Sequence, residues 1–196
     1  MSPRKPPAPD RARRPAGELR INAGAWRGRR LPVPDLPGLR PTPDRVRETL
    51  FNWLAPRLDG SRCLDLFAGS GALGLEALSR GAGSCVFVES SRPALRQLQA
   101  SIALLQAEHG QCVQADALGW LAQATGTFDI IFLDPPFDGQ LLAQAVALIE
   151  ARGLLAPGGR VYLEGPARLP LPLPAGWELL RERRAGQVRF GLAGRE

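Results

Sequence analysis

At 196 residues the chain can bury one sizeable core but is short for two full domains. With 44% hydrophobic and 22% charged residues, and no apolar run longer than a strand or an amphipathic helix, it reads as a soluble globular protein with no segment able to span a membrane. Its formal charge of +6 is unevenly placed: residues 1–60 hold 13 Arg/Lys against 6 Asp/Glu and residues 61–196 hold 12 against 13, so the basic excess sits in the N-terminal segment and points to a polyanionic partner.

Residues 1–17 are rich in Pro, Arg and Ala with almost no large apolar side chains, the composition of a disordered basic tail. No apolar stretch of the signal-peptide type follows it, so a cytoplasmic protein is expected. Within residues 18–41, Leu19-Arg20-Ile21 and Arg30-Leu31-Pro32-Val33 flank Gly24-Ala25-Trp26-Arg27-Gly28, which predicts a hairpin or an extended arm with a turn. Thr42-Pro43-Asp44 reads as a helix start with Thr42 as the capping residue. The apolar stripe Val46, Leu50, Phe51, Trp53 and Leu54 carries that helix to Pro56.

Beyond Pro56, apolar strands alternate with amphipathic helices. Strands are expected at Cys63–Phe67, Cys85–Glu89, Gln111–Ala115, Ile130–Leu133 and Arg160–Glu164, and helices near Ala72–Ser79, Pro93–Glu108, Leu118–Ala124 and Leu141–Ala151. After a proline-rich loop at Pro166–Pro174, Trp177–Arg183 and Gln187–Leu192 read as an antiparallel hairpin around Ala185-Gly186. The pattern predicts an α/β, doubly wound, mostly parallel sheet of seven strands, with residues 42–196 forming one domain that includes its leading helix. Cys63, Cys85 and Cys112 are odd in number, widely spaced and set among apolar residues, as reduced core thiols would be, and with His109 the lone histidine no zinc set is expected.

Leu64-Asp65-Leu66-Phe67-Ala68-Gly69-Ser70-Gly71-Ala72-Leu73-Gly74 is a strand, a glycine turn and a helix start, the nucleotide-binding position of a doubly wound sheet. Gly69-x-Gly71-x-x-Gly74 with Glu89 downstream also matches a dinucleotide fingerprint, so the glycines alone do not choose the ligand. Asp65 favours S-adenosylmethionine, because a carboxylate at this turn attracts a ligand bearing ammonium and sulfonium charges and gains nothing from a pyrophosphate. The supply of proton donors for a dehydrogenase is also thin: Lys5, His109 and Tyr162 are the whole of it. Asp116, at the end of the third strand, is placed either to accept from an adenine amino group or to cap the following helix.

The strand Phe128–Leu133 runs into Asp134-Pro135-Pro136-Phe137. Tandem prolines fix the backbone and remove two donors, leaving carbonyl acceptors at the lip of the strand. The Asp134 carboxylate and the Pro135 carbonyl can then orient one planar amino group and stabilise the positive charge it develops on attacking a sulfonium methyl. Phe137 offers a stacking face for a base.

The glycine loop followed by Asp-Pro-Pro-Phe resembles the class I amino-methyltransferases of nucleic acids. The stretch Arg20-Ile21, Trp26-Arg27-Gly28-Arg29-Arg30-Leu31, Pro37-Gly38-Leu39-Arg40-Pro41-Thr42 and Asp44–Leu54 resembles more specifically the bacterial 16S rRNA guanine-N2 methyltransferase family that modifies guanine 966, over about residues 19–192. The resemblance implies a Rossmann-like fold, S-adenosyl-L-methionine as donor, no metal, and 16S rRNA in an assembled or assembling small subunit as substrate for a monomeric enzyme. It implies a donor site over Asp65, Phe67, Ala68, Gly69, Ser70, Gly71, Glu89, Ser90, Asp116 and Ala117, and a target-base site over Asp134, Pro135, Pro136 and Phe137. It implies rRNA contacts by Arg20, Trp26, Arg27, Arg29, Arg30, Arg40, Arg45 and Arg47. Arg45 and Arg47 are two apart on a helix, so at least one must point outward. Trp26 can stack on a base or cap the core. Asn22-Ala23 stands where the family has Ile/Val-Gly.

An adenine-N6 or other base-amine methyltransferase uses the same acceptor chemistry. A protein-amide methyltransferase is opposed by the basic arm, and a non-catalytic RNA-binding assembly factor by the intact acceptor motif.

Overall fold

The computed structural model describes residues 17–36, 42–136 and 140–195. Two short strands, β1 (Gly17–Arg20) and β2 (Arg30–Val33), pair antiparallel as the expected arm. Their alternate residues Leu19, Leu31 and Val33, with Ile21 just beyond β1, are buried against the body of the protein. Helix α1 (Asp44–Leu58) follows and continues through Pro56, which has no N–H to give the Asn52 carbonyl one turn back. The cap expected of Thr42 is not made: Pro43 occupies the cap position without a side-chain bond, and the Thr42 hydroxyl is spent elsewhere.

The main sheet contains β3 (Arg62–Asp65), β4 (Ser84–Glu89), β5 (Gly110–Gln114), β6 (Phe128–Leu133), β7 (Leu155–Pro166), β8 (Glu178–Ala185) and β9 (Val188–Gly194), in the order β5-β4-β3-β6-β7-β9-β8. The pairs from β5 to β7 are parallel, and the terminal hairpin adds antiparallel to β7. The order reverses at β3, so the crevice between the ends of β3 and β6 lies at the topological switch point. Strand β7 starts five residues before the expected Arg160, because Leu155 pairs with Phe128 across an irregularity that the Pro157-Gly158-Gly159 sequence disguises as a turn.

Helices α2 (Ala72–Ser79) and α3 (Arg92–Leu105) share one face of the sheet with α1 and the arm, around Leu50, Phe51, Leu75, Phe87, Leu98 and Phe132. Helices α4 (Ala117–Gln123) and α5 (Leu141–Ala151) cover the other face, around Leu121, Ile131, Leu133, Val146, Ile149 and Leu163. Burial of these two layers on both sides of parallel strands supplies the main driving force for the fold. Cys63 and Cys85 are buried free thiols and Cys112 is half-buried, with burial pushing Cys63 up to about 12 and Cys112 to about 11. Among the described residues no helix is long and apolar enough to cross a membrane.

The arm is held chiefly through its main chain. Glu76, fully buried on α2, accepts from the backbone N–H groups of Asn22 (2.8 Å) and Ala23 (3.1 Å) and from the guanidinium groups of Arg80 (2.7 Å) and Arg47 (3.4 Å). One turn on, the Ser79 hydroxyl donates to the Ala23 carbonyl (2.6 Å) and accepts from Trp26 N–H (3.0 Å), while Ala25 N–H donates to the Ser79 carbonyl (2.7 Å). Gly24 fits this junction because its φ is +82° and because a Cβ there would stand 1.7 Å from the Ser79 carbonyl oxygen. Since residues 22 and 23 contribute N–H groups to Glu76, the departure from Ile/Val-Gly to Asn-Ala leaves the docking intact.

Candidate active site at the carboxyl ends of β3 and β6

The turn after β3 is built from its own backbone and from two carboxylates. Gly71, at φ +78°, caps α2 and offers no side chain to the helix N–H groups. Asp65 supplies the missing acceptor from the preceding strand: its Oδ2 takes the N–H of Gly74 at 3.0 Å. Asp65 is buried, and burial pushes its carboxyl up to about 7, with the charges of Asp134 and Glu89 adding and the Gly74 bond opposing. A carboxyl poised in this way ionises readily when a cation arrives. The bond to Gly74 N–H joins positions nine apart and was not among the expectations for Asp65. Gly74 packs so closely on the sheet that a Cβ would meet the Phe87 ring at 2.2 Å.

Glu89, ending β4, accepts from Gly69 N–H through Oε2 (2.8 Å) and from Ser91 N–H through Oε1 (2.6 Å). Each oxygen keeps a second lone pair, so the carboxylate can still receive two hydroxyls of a ribose. Asp116 is the cap of α4, accepting from Gly119 N–H at 2.8 Å through Oδ2, and it is exposed. Its Oδ1 retains acceptor capacity for an amino group, so capping and ligand contact are compatible. Phe67 and Gly69 are half-buried, Ala68 and Ser70 are buried, and Ser90 and Ala117 follow Glu89 and Asp116 directly.

At the end of β6, Asp134 is half-buried and Pro135 buried, while Pro136 is exposed. Phe137 lies outside the described residues, as does Arg40. Three further polar side chains, none of them assigned to this site from the sequence, surround Asp134 at this point. The Thr42 hydroxyl donates to Asp134 Oδ2 at 3.0 Å. In the parallel β6–β7 register Phe132 pairs with Tyr162 and Leu133 with Leu163, so Glu164 stands next to Asp134 one step on, on the same side of the sheet. Tyr162, one pleat below, donates its hydroxyl to Glu164 Oε2 at 2.5 Å in a buried contact. Burial pushes the Asp134 carboxyl up to about 6, opposed by the Thr42 bond. Burial pushes Glu164 up to about 8, with the Asp134 charge adding and the Tyr162 bond opposing. The signal for this cluster was Tyr162-x-Glu164 on the strand beside the motif, a pairing that needs the sheet register to be read. Beside it lies a largely apolar pocket lined by Pro135, Pro136, Leu142, Glu164, Leu169 and Leu171.

The arginines proposed to meet RNA divide. Arg20, Arg27, Arg29 and Arg45 are exposed, and Arg30 is exposed but paired with Glu18 at 2.9 Å. Arg47 is a correction: at 1% exposure it is an internal strut, donating to Glu76, to Asp44 and to the Arg20 carbonyl (2.8 Å), and is closed to any RNA. The buried Glu76 draws it inward, so of the two arginines Arg45 is the one that faces out. Trp26 is half-buried and packs against the core. Its turn is docked on the C-terminal end of α2, about 10 Å along the helix from the glycine loop.

Residues 19–193 match the family model described as conserved hypothetical protein 95. The chain is 50% identical over 182 residues to the ribosomal RNA small subunit methyltransferase D of Escherichia coli K12, covering 92% of each. It is 45% identical over 180 residues to the protein of the same name from Haemophilus influenzae, covering 90% of this chain and 93% of that one. In three dimensions it is similar to the solved yhhF protein of Escherichia coli, with a TM-score of 0.86, 48% identity, and coverage of 92% of this chain and 99% of that one.

Proposed function

Because the chain belongs to the conserved hypothetical protein 95 family and is a methyltransferase, we propose that it transfers the methyl group of S-adenosyl-L-methionine to the exocyclic N2 amine of a guanine, guanine 966, in 16S rRNA of the small ribosomal subunit. The observation that carries this reading is the meeting of the glycine loop and Asp134 at the sheet's switch point, supported by relatives named for small-subunit rRNA methylation.

The donor fits the residues present: a buried Asp65 that a cation would ionise, Glu89 with lone pairs to spare for a diol, and Asp116 with an oxygen to spare for an amino group. When bound it supplies an electrophilic methyl on a sulfonium. The protein's own part is to hold the acceptor. Asp134, steered by Thr42, and the Pro135 carbonyl accept the two amine hydrogens and turn the nitrogen lone pair toward the donor. Their negative ends stabilise the charge that grows on nitrogen, and Asp134 is the nearest base to take the proton afterwards. Phe137 is assigned the stacking role, and the exposed Arg20, Arg27, Arg29 and Arg45 contacts to phosphate.

The test is to incubate the protein with labelled donor and small subunits lacking the modification, and to map the labelled base by mass. Label on the guanine amine is expected. Label on adenine would establish the N6 alternative in its place, and label on protein would remove RNA as the substrate.

A further inference from the structure

The chain carries a second basic pole beyond its N-terminal segment. Residues 61–166 hold 6 Arg against 10 Asp/Glu, a net of −4, whereas residues 167–190 hold 5 Arg against 2 Glu, a net of +3. The fold gathers most of this second pole at one place. Strand β8 runs antiparallel to β9, which is antiparallel to β7, so Arg183 and Arg184 approach the same end of the sheet where β6 delivers Asp134. The β8–β9 turn is pinned there by Ala167 N–H donating to the Gln187 carbonyl at 2.8 Å. The chain leaving β7 carries Arg168 between Pro166 and Leu169, both of which line the pocket beside Pro135 and Pro136.

Arg168, Arg183 and Arg184 are exposed, and among the described residues no carboxylate pairs with any of them. The nearest acid along the strand, Glu182, is taken by Arg189 at 3.4 Å. Arg183 pairs in register with Phe190, which stacks on Trp53 of α1, so it looks out on the α1 side, and Arg184 pairs with Arg189 on the opposite side. Three strand spacings separate β8 from β6, about 14 Å. An edge strand carrying arginines on both sides is also protected from pairing with another sheet, but that protection does not require the cluster to lie at the end of the sheet that carries the acceptor pocket. The turn of the N-terminal arm, by contrast, is docked at the far end of α2.

We infer that the tip of the β8–β9 hairpin, with Arg183, Arg184 and the adjoining Arg168, is a contact surface for the phosphate backbone of the RNA next to the target nucleotide. The inference rests on the function proposed above and adds a second anchor, on the acceptor side of the site, to the one assigned to the arm. Guanidinium groups on both faces of a narrow tip suit a backbone that bends as its base is delivered into the pocket.

The test compares the parent with Arg183→Gln plus Arg184→Gln, and with Arg57→Gln, which removes an exposed arginine near the opposite end of the sheet. Methyl transfer to unmodified small subunits is measured over a range of salt, binding of protein-free 16S rRNA is measured in parallel, and donor affinity by calorimetry. For the tip variant, KM for subunits should rise about tenfold, with the loss carried by KM rather than kcat, and the salt slope of log affinity should fall by about 1 to 2. Donor affinity should stay at the parent's value. A tip variant whose KM and salt slope match those of the parent or of Arg57→Gln overturns the inference. So does weakened binding to subunits with full binding to protein-free rRNA, which would assign the tip to a ribosomal protein. A parent that neither binds nor methylates either RNA fails the proposed function and this surface with it; an active parent with an unaffected variant removes this surface alone.

Discussion

The hydroxyl of Thr42 donates to Oδ2 of Asp134 across 92 positions of sequence. The residue that enters the first helix of the catalytic body thus orients the acid at the end of its fourth parallel strand. Thr42→Val keeps the shape and removes the donor, so Asp134 loses the one bond that holds its carboxyl down. The expected result is a fall in kcat of about tenfold at neutral pH, with the acid limb of the pH–rate profile moving upward from about 6. A variant with reduced kcat and an unmoved limb would mean that Thr42 serves folding only.

Asp134→Ala should cut kcat by about 10²- to 10³-fold, the size found when a preorganised group facing transition-state charge is removed. Single-turnover assays with saturating donor would measure it, and calorimetric titration would check that donor binding changes by no more than a few-fold. Full activity in the variant would remove Asp134 from the catalytic role.

Asp65, Asp134 and Glu164 have carboxyls held at about 7, 6 and 8, above their ordinary range. Between roughly pH 4 and pH 8 the folded chain therefore keeps protons that the unfolded chain has released, and stability falls as pH rises through that window. Asp129 and Glu150, held below their usual values by Arg62 and Arg195, act in the opposite sense but at lower pH. Urea denaturation of the free protein should show this decline above pH 5. Glu164→Gln should flatten part of it, gaining about 1–3 kcal/mol at pH 8.5. An unchanged slope would place the proton elsewhere.

Arg47→Met and Arg45→Met should separate two roles that look alike in sequence. Removing one partner of a buried pair costs about 3–5 kcal/mol, so Arg47→Met is expected to lower stability on that scale. Arg45→Met, on an exposed site, should leave stability within about 0.5 kcal/mol and weaken RNA binding in a salt-dependent way. Denaturation midpoints and binding isotherms taken on the same preparations decide the matter.

Gly24→Ala should undock the arm turn, because the new methyl would meet backbone rather than a side chain able to swing aside. A loss of about 2 kcal/mol or more is expected, with faster hydrogen exchange at the Ala25 and Trp26 amides. Protection equal to the parent's would show that the turn can relax without leaving Ser79.

Much of the architecture was written locally. The Gly69-Ser70-Gly71 turn and the apolar run after it mark Ala72–Ser79 to the residue, and Asp116 before a short apolar helix marks α4 to within one. What failed were readings in which a local pattern competes with a distant partner. Thr42-Pro43-Asp44 has the form of a helix cap, but the threonine's partner is on β6. Helical spacing required at least one of Arg45 and Arg47 to face outward, and which one turned inward depended on Glu76, some thirty residues later. Glu164 was an ordinary strand residue until the sheet register put it beside Asp134. The basic tip of the terminal hairpin was averaged away by the acidic body around it.

The junction at Glu76 bears on how freely this enzyme could be rebuilt. The arm is a separate two-stranded unit in sequence, but it is not an exchangeable one. Its seat is a buried acid that expects two backbone N–H groups and Arg47, followed by a serine that expects a glycine against its carbonyl. A foreign arm would have to arrive with the same spacing of main-chain donors, or bring its own versions of positions 47, 76 and 79. Arm and catalytic body are thus interlocked through main-chain donors, so substitution is easiest at the solvent-facing arginines and hardest at the seam beneath them.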